Sequence, residues 1–257
     1  MSNDPMRLFW HRSSSASLRV MMYRALRGVL DDVVELVHTG LTSDDRGILV
    51  YTLPEGDAIT RELGTTDLKA LNPEGRIPIL LMADGRRMTQ SGAIIDLIDA
   101  QLDGPNPMVP QDAWLQAEMR RIMWIIAADV QPYQNIPFII QAMTEWGMVQ
   151  AKPTEHPLRL HFIRREFAAL EGILETCAGT CAVGDDVTLA DCFLIPQVRN
   201  ALLAGIDLNA EFPVMARVWN HVIALPPVAA LIEDAGGIVQ QMTFDDRKFT
   251  AKAALDG

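Results

Sequence analysis

This sequence has no long apolar runs, little positive charge and few cysteines. Its apolar stretches are interrupted well before the roughly 20 residues that a membrane-spanning helix needs. The formal net charge is −11 at pH 7, whereas a protein that binds nucleic acid needs a basic face for the phosphate groups. The acidic residues are spread along the chain, which indicates solubility. We therefore expect neither a membrane nor a nucleic acid as a partner.

The scarcity of cysteine limits the chemistry that the chain can carry. Its three cysteines, Cys177, Cys181 and Cys192, match neither a disulfide framework nor a CxxC redox pair. We expect all three to be buried packing residues in a helical region, and we expect no metal site. The first residues lack the basic start and the apolar core of a secretory signal. These absences favour the reducing cytoplasm as the location.

The sequence pattern changes near residues 103–107, which read Asp-Gly-Pro-Asn-Pro. Before this point strand and helix patterns alternate, which is typical of an α/β unit. After Pro110, apolar residues recur at three- and four-residue spacing, as in amphipathic helices. With 257 residues, 49% of them hydrophobic, the chain can bury one large core or two modest ones. We predict an α/β domain over residues 6–103 and an all-helical domain over residues 111–245.

Residues 38–66 form a longer segment than the connections of a compact domain usually have. The segment is polar, with Asp44, Glu55 and Asp57 among its residues and several glycines. We predict a solvated surface loop here, in preference to a lid over a binding site.

A cluster of serines lies between a short apolar strand at residues 7–10 and an apolar helix. Ser13, Ser14, Ser15 and Ser17 bring hydroxyl groups close to backbone N–H groups that have no partner within the helix. The N-terminus of a helix carries about half a positive charge, so this junction suits an anion. The alternative is that one serine caps the helix and has no other role.

Four more segments follow the serine cluster along the chain. They are residues 71–81 (LNPEGRIPILL), 88–98 (MTQSGAIIDLI), 130–135 (VQPYQN) and 183–191 (VGDDVTLAD). Together these segments resemble the zeta class of glutathione transferases, also called the maleylacetoacetate or maleylpyruvate isomerase family, over about residues 7–240. The resemblance implies an α/β plus all-α protein: a thioredoxin-like N-terminal domain, then the all-helical glutathione-transferase C-terminal domain. It also implies glutathione as the cofactor.

The resemblance assigns the chemistry to the serine cluster. By position in the motif, Ser14 matches the serine with which this family activates the glutathione thiolate, and Ser15 is its neighbour. A free thiol has a pKa near 8.5, and lowering it by two units requires about 2.7 kcal/mol. One hydrogen bond to a charged acceptor supplies about 1.5–3 kcal/mol, so one hydroxyl at a helix N-terminus is sufficient. His11 and Arg12 precede the serines and are expected to add charge on the substrate side.

The resemblance also implies the other glutathione contacts of the first domain. Pro78 matches the cis-proline of thioredoxin-like folds, and this geometry would turn the backbone of Ile77 outward. The cysteinyl part of glutathione would then pair with Ile77 as an added strand does. Gln90 and Ser91 would hold the γ-glutamyl end at a helix N-terminus.

Two motifs of the helical domain have predicted roles. In the family, Gln131 reaches the cofactor, and Asn135 lies one turn later on the same face. The other interpretation of Gln131 is a helix-stabilising polar residue beside a kink at Pro132. Thr188 and Asp191 stand three residues apart, as in a capping box, so we predict that Asp191 is structural and not catalytic.

The chain departs from the family pattern at three positions. Ala16 replaces a cysteine that isomerisation does not need, because the nucleophile is the glutathione sulfur. Ser13 and Leu203 stand where the family places arginines that bind substrate carboxylates. Burying a carboxylate without a cation costs several kcal/mol. We therefore expect a less acidic and more apolar substrate, unless Arg12 and Arg199 replace the two arginines.

Three functions follow from the resemblance. The first is glutathione-dependent cis–trans isomerisation of an activated double bond in a small conjugated substrate. The second is conjugation or dehalogenation of a small electrophile, whose first chemical step is the same. The third is a non-catalytic, glutathione-transferase-like binding protein. The resemblance further implies a homodimer, with the α/β domain of one chain against the helices of the other.

Overall fold

The computed structural model describes residues 4–44, 49–147 and 155–234. The chain separates into two compact units, and the division falls between Asn106 and Pro107. Residue 245, the predicted end of the helical domain, lies outside the described ranges. Among the helices of these ranges, none is long and apolar enough to cross a membrane.

The first unit is built on a four-stranded sheet. The strands described in this unit are β1 (Met6–Trp10), β2 (Val34–His38), β3 (Gly40–Ser43), β4 (Leu49–Thr52), β5 (Ile79–Leu81) and β6 (Arg87–Thr89). The sheet has the order β2-β1-β5-β6, while β3 and β4 pair separately. β1 runs parallel to β2 and antiparallel to β5. It is an inner strand of the sheet and is apolar, with Leu8 and Phe9 completely buried.

Three helices accompany these strands in the described part of the unit, namely α1 (Ser15–Arg27), α2 (Ala58–Leu63) and α3 (Ser91–Asp99). α1 ends at Gly28, whose left-handed φ of 72° lets its N–H reach the carbonyl of Arg24. The Tyr23 hydroxyl of α1 donates to Asp99 Oδ1 of α3 at 2.6 Å. The predicted thioredoxin-like fold of the N-terminal domain is confirmed.

The prediction of an irregular surface loop over residues 38–66 is wrong. The segment forms the β3–β4 hairpin, in which Leu41 lies opposite Tyr51, and then helix α2. Leu53 and Ile59 are 1% and 7% exposed and belong to the apolar core of the unit. Asp57, read as a loop residue, is instead the N-cap of α2, and its Oδ1 accepts the N–H of Ile59 at 2.9 Å.

The peptide bond between Ile77 and Pro78 is cis, as predicted, and β5 follows it directly. The preceding turn is closed by Asn72, which is 2% exposed. Its side-chain amide donates to the carbonyl of Arg76 at 2.7 Å, and its Oδ1 accepts the N–H of Glu74 at 3.1 Å. Asn72 therefore fixes the turn that leads into the cis peptide.

The regular elements described in the second unit are helical, and the predicted all-helical architecture of this domain is confirmed. They are α4 (Ala113–Ile125), a π-helical turn (Ile126–Val130), α5 (Gln131–Gln134), α6 (Ile136–Glu145), α7 (Pro157–Cys177), α8 (Leu189–Leu203), α9 (Leu208–Glu211), α10 (Pro213–Ile223) and α11 (Pro226–Asp234). α8 packs against α4, α10 and the π-helical turn. It is the central helix, since it is buried along most of its length.

α8 begins with the predicted capping box, which confirms the structural prediction for Asp191. Asp191 is completely buried, and its Oδ2 accepts the N–H of Thr188 at 2.8 Å and the Thr188 hydroxyl at 3.1 Å. Its Oδ1 accepts the N–H of Ala182 at 2.8 Å. One carboxylate therefore joins the start of α8 to the turn before it.

The prediction that the cysteines are buried packing residues holds for Cys181 and for Cys192, which lies within α8, but not for Cys177. Cys177 is the last residue of α7 and is half-buried, and Cys181 is buried in the turn between α7 and α8, outside any helix. The turn buries its apolar residues because the capping carboxylate of Asp191 holds it against α8. All three thiols are free.

Candidate active site

Ser14 is the N-cap of α1 and leads directly from the end of β1 into the helix. Its Oγ accepts the N–H of Ser17 at 3.2 Å, and its side chain is half-exposed. A hydroxyl has two acceptor positions and one hydrogen, so capping leaves the hydrogen of Ser14 available. The two interpretations of the serine cluster are therefore compatible, because Ser14 can cap the helix and still donate to an anion.

The other serines of the cluster differ from Ser14 in exposure. Ser15, the first residue of α1, is 4% exposed, and Ser17 is completely buried. Ser17 Oγ accepts the N–H of His11 at 3.5 Å and so ties the end of β1 to the helix. Of Ser14 and Ser15, only Ser14 is partly exposed to solvent.

A polar and aromatic cluster surrounds the N-terminus of α1. The Ser13 hydroxyl lies 2.7 Å from His11 Nδ1 and 3.3 Å from the hydroxyl of Tyr51 on β4. The His11 ring lies between those of His38 and Tyr51, with ring centroids 4.7 Å and 5.5 Å away. The edge of Trp10 meets His38 at 5.3 Å. The β3–β4 hairpin therefore contributes a phenol beside the serines.

His11 adds no positive charge to this cluster at neutral pH. Burial, followed by the nearby charges of His38 and Arg12, lowers the pKa of His11 to about 4. Arg12 is exposed. The expectation that His11 supplies charge is therefore wrong, because its imidazole is partly desolvated and lies close to the guanidinium of Arg12. Arg12 is the cation of this pair.

The strand-like pairing with glutathione predicted for Ile77 requires a backbone N–H and C=O that have no other partner, and the structure meets this requirement. In the described part of the chain, neither the N–H nor the C=O of Ile77 has a hydrogen-bond partner. The side chain of Ile77 is 6% exposed and packs in the apolar core, as does the neighbouring Ile79. The core thus fixes this residue while its backbone groups stay available to a ligand. Pro78 is buried beside it.

The N-terminus of α3 has no side-chain cap. Gln90 occupies the cap position with a φ of 69°, which is unusual for a residue other than glycine, and its Nε2 donates to Glu74 at 3.2 Å. Ser91 is 5% exposed, and its Oγ accepts from Nη1 of Arg19 at 3.4 Å. Arg19 is 2% exposed, and burial lowers its pKa to about 9. Free N–H groups and a nearby guanidinium suit a carboxylate at this position.

In the second unit, Gln131 and Asn135 stand at the two ends of α5. Gln131 is its first residue and is half-buried. Asn135 follows the last residue, and its N–H donates to the carbonyl of Gln131 at 3.1 Å. Asn135 is also the N-cap of α6, but its side chain makes no capping hydrogen bond. Pro132 lies in the first turn of α5, after the π-helical turn, which agrees with the predicted irregularity.

α8 carries Arg199 and Leu203 four residues apart, hence on one face. Arg199 is 7% exposed, burial lowers its pKa, and its Nε has no hydrogen-bond partner among the described residues. Leu203 is the half-buried last residue of the helix. A buried guanidinium with an unused donor is suited to an anionic group.

Arg159 of α7 is a second buried cation of this unit and was not predicted. It is 4% exposed, and burial lowers its pKa to about 10. Its Nε donates to the carbonyl of Gln134 at 2.9 Å, and its Nη2 donates to the carbonyl of Asn200 at 3.4 Å. Arg159 therefore joins α5, which carries Gln131, to the part of α8 that carries Arg199.

Two family models match the sequence. The model of the glutathione S-transferase N-terminal domain matches residues 13–101, and the model of the glutathione S-transferase C-terminal domain matches residues 146–226. The first match contains the serine cluster, the cis peptide and the start of α3. The second contains Arg159, Arg199 and Leu203.

Several known proteins are similar to this chain over most of its length. The maleylacetoacetate isomerase of Mus musculus is 33% identical, over 85% of this chain and 88% of its own. The glutathione S-transferase Z1 of Arabidopsis thaliana is 30% identical, over 87% and 89%. The crystal structure of maleylacetoacetate isomerase from Anaeromyxobacter dehalogenans 2CP-1, with glutathione bound in its active site, superposes with a TM-score of 0.66. It has 28% sequence identity and covers 93% of this chain and 97% of that one.

Proposed function

This chain belongs to the zeta class of the glutathione S-transferase family and is a glutathione-dependent isomerase of an activated double bond. We propose the following roles for its residues in that reaction. The observation that best supports this proposal is the geometry of Ser14, whose hydroxyl oxygen caps α1 while its hydrogen can be donated to an anion. A thiolate placed there receives a charge-assisted hydrogen bond of about 1.5–3 kcal/mol and the favourable end of the helix dipole. Lowering a thiol pKa by two units needs about 2.7 kcal/mol, so these two contributions are sufficient.

The first domain, residues 6–103, binds glutathione at three points. Ser14 donates to the sulfur, the free backbone groups of Ile77 pair with the cysteinyl residue, and Gln90 and Ser91 hold the γ-glutamyl carboxylate. The contact with the γ-glutamyl carboxylate is supported by the N-terminus of α3, which has no side-chain cap. A carboxylate bound there would accept hydrogen bonds from the uncapped N–H groups of the helix. These residues therefore fit glutathione in donor type and in availability.

We propose that the helical domain, residues 111–245, binds the substrate. As the family resemblance implies, Gln131 and Asn135 contact glutathione. The side chain of Asn135 makes no capping hydrogen bond to α6, so its amide can bind a ligand. When bound, glutathione supplies a thiolate that adds reversibly to the double bond, so that the bond can rotate before the sulfur leaves. The residues of the chain hold the thiolate in its anionic form and orient the substrate. Ser15, which the resemblance places beside Ser14 in the motif, is the buried first residue of α1.

The substrate carries fewer charges than a dicarboxylate. Ser13 and Leu203 occupy the positions where the family resemblance places carboxylate-binding arginines. Arg199 is the cation on the same helix face as Leu203, and Arg12 is the cation beside the serines. The buried, unused donor of Arg199 supports one carboxylate contact. We propose a conjugated acid or ketone with at most one carboxylate, and His11 as a neutral contact.

Replacing Leu203 with arginine is expected to raise kcat/KM for maleylpyruvate, a dicarboxylate, by about ten- to a hundredfold. The reason is one added charge-assisted contact of about 1.5–3 kcal/mol between the new guanidinium and a substrate carboxylate. Steady-state kinetics with glutathione measure the effect. Leu202→Arg is the matched control, because Leu202 is the adjacent half-buried residue of α8 and faces a different direction.

Ordinary isomerase efficiency of the natural protein on maleylpyruvate, unimproved by Leu203→Arg, would contradict this proposal. In that case the additional variant Arg199→Leu reveals the reason. A large loss of kcat/KM on removal of Arg199 would mean that the natural protein binds a substrate carboxylate through Arg199.

We also propose a homodimer, in which α4 takes part in the interface. Trp114 and Trp124 of α4 are 72% and 68% exposed. They lie ten residues apart, hence about 15 Å along the helix and within roughly 80° around it. Each indole offers about 150–250 Å² of mainly apolar surface, and a two-fold partner would bury both. The three free thiols favour a reducing compartment, and we propose the cytoplasm.

Light scattering at micromolar concentration is expected to give the mass of a dimer for the natural protein. The double variant Trp114→Ser and Trp124→Ser is expected to shift the mass toward the monomer, because it removes the largest apolar groups of the patch. Trp146→Ser is the control, since Trp146 is 65% exposed but follows α6. A monomer mass for the natural protein would overturn the proposal.

A further inference from the structure

Tyr51 is a residue of the serine site that the family resemblance does not assign. It lies on β4, and its hydroxyl is 3.3 Å from Ser13 Oγ. Its ring is packed against the apolar core on one side and against His11 on another. The phenol is therefore held in one position at the N-terminus of α1, where Ser14 presents its hydroxyl.

The hydrogens of this cluster can be assigned from its geometry. The N–H of Ser13 points to His11 Nδ1 at 3.2 Å, so Nδ1 is an acceptor. The Ser13 hydroxyl, at 2.7 Å, then donates its only hydrogen to the same nitrogen. The oxygen of Ser13 remains an acceptor, and the hydrogen of Tyr51 points to it when no stronger acceptor is present. A thiolate is a stronger acceptor, since charge-assisted hydrogen bonds are roughly twice as strong as neutral ones.

We propose that the Tyr51 phenol is a second hydrogen-bond donor to the glutathione sulfur, beside the hydroxyl of Ser14. This inference rests on the proposed binding of glutathione at Ser14. Tyr51 is then a catalytic residue, because it touches the reacting sulfur, and the β3–β4 hairpin is the element that brings it there.

The chemistry of the phenol suits this role. Burial, the largest influence, raises the pKa of Tyr51 above its ordinary value. The net effect keeps the hydroxyl protonated at physiological pH, so it stays a donor. Ser13 cannot donate to the glutathione sulfur, because its hydroxyl hydrogen is donated to His11 Nδ1.

The test is the pKa of the thiol of bound glutathione, followed by the ultraviolet absorbance of the thiolate during a pH titration. Tyr51→Phe keeps the ring and its packing but removes the donor. It is expected to raise the thiol pKa by about one to two units. Tyr23→Phe is the matched control, because its hydroxyl is bonded to Asp99 at 2.6 Å and not to the serine cluster. This control is expected to leave the thiol pKa unchanged.

The outcomes separate this inference from the proposed function. An increase for Tyr51→Phe alone, and a further increase when Ser14→Ala is added, would support two independent donors. A low thiol pKa that Tyr51→Phe leaves unchanged would overturn the role of Tyr51 while the role of Ser14 stands. A natural protein that fails to bind glutathione would overturn both. Thermal unfolding of each variant shows that the fold is retained.

Discussion

Replacing Ser14 with alanine is expected to reduce kcat/KM by about ten- to a hundredfold. The variant removes the hydrogen that Ser14 offers to the thiolate, a charge-assisted contact of about 1.5–3 kcal/mol. It also removes the cap acceptor of the Ser17 N–H, which costs about 1 kcal/mol of folding stability. The thiol pKa of bound glutathione is expected to rise by about one to two units, so the optimum of the pH–rate profile moves to higher pH.

Two further variants separate the thiolate contact from the cap. Ser14→Gly removes the hydroxyl, but glycine is tolerated as an N-cap at a cost of only a few tenths of a kcal/mol. Ser14→Thr retains both the hydroxyl and the cap. We expect Ser14→Gly to lose activity as Ser14→Ala does, and Ser14→Thr to keep most of it. Loss of activity that follows the loss of stability in all three variants would contradict a direct role for the hydroxyl.

Replacing Asp191 with alanine is expected to lower the free energy of unfolding by about 3–5 kcal/mol. The carboxylate is completely buried and accepts hydrogen bonds from the N–H of Ala182 and from the N–H and hydroxyl of Thr188. Each buried donor left without a partner costs about 1–3 kcal/mol, and the variant leaves three. Urea denaturation followed by circular dichroism measures the change.

Asp186→Ala is the control for this measurement. Asp186 lies in the same turn but is exposed, so its removal is expected to change the stability by less than about 0.5 kcal/mol. If Asp191→Ala were no more damaging than Asp186→Ala, the capping box would not hold the turn against α8. If Asp191→Ala folded normally but lost activity, Asp191 would be a functional residue.

Local sequence signals predicted the parts of the fold that depend on a few neighbouring residues. The capping box of Thr188 and Asp191 is a three-residue pattern with its own hydrogen bonds, and the structure contains it. The strand-to-helix junction at Ser14 was recognised for the same reason. The prediction for residues 38–66 was wrong because the acidic residues of this segment suggested a solvent-exposed loop. Its structure is decided instead by the burial of Leu53 and Ile59 in the core.

The contacts that the sequence could not predict join residues that lie far apart in the chain. Tyr51 meets Ser13 across 38 positions, and Arg159 meets Asn200 across 41. No local pattern marks a tyrosine in a hairpin as a neighbour of a helix N-terminus. An arginine in an amphipathic helix is normally read as exposed, so the burial of Arg159 and Arg19 also had no sequence signal. The pattern that comes nearest to predicting a buried arginine is a single charged residue within an otherwise apolar stretch of a helix.

The most direct test of the account is a mass balance on glutathione during turnover of a conjugated cis acid or ketone that carries at most one carboxylate. The account predicts that the trans isomer accumulates while the concentration of free glutathione stays constant, and that no product forms without glutathione. Consumption of one glutathione for each product formed would mean conjugation or dehalogenation, and would contradict the assignment as an isomerase.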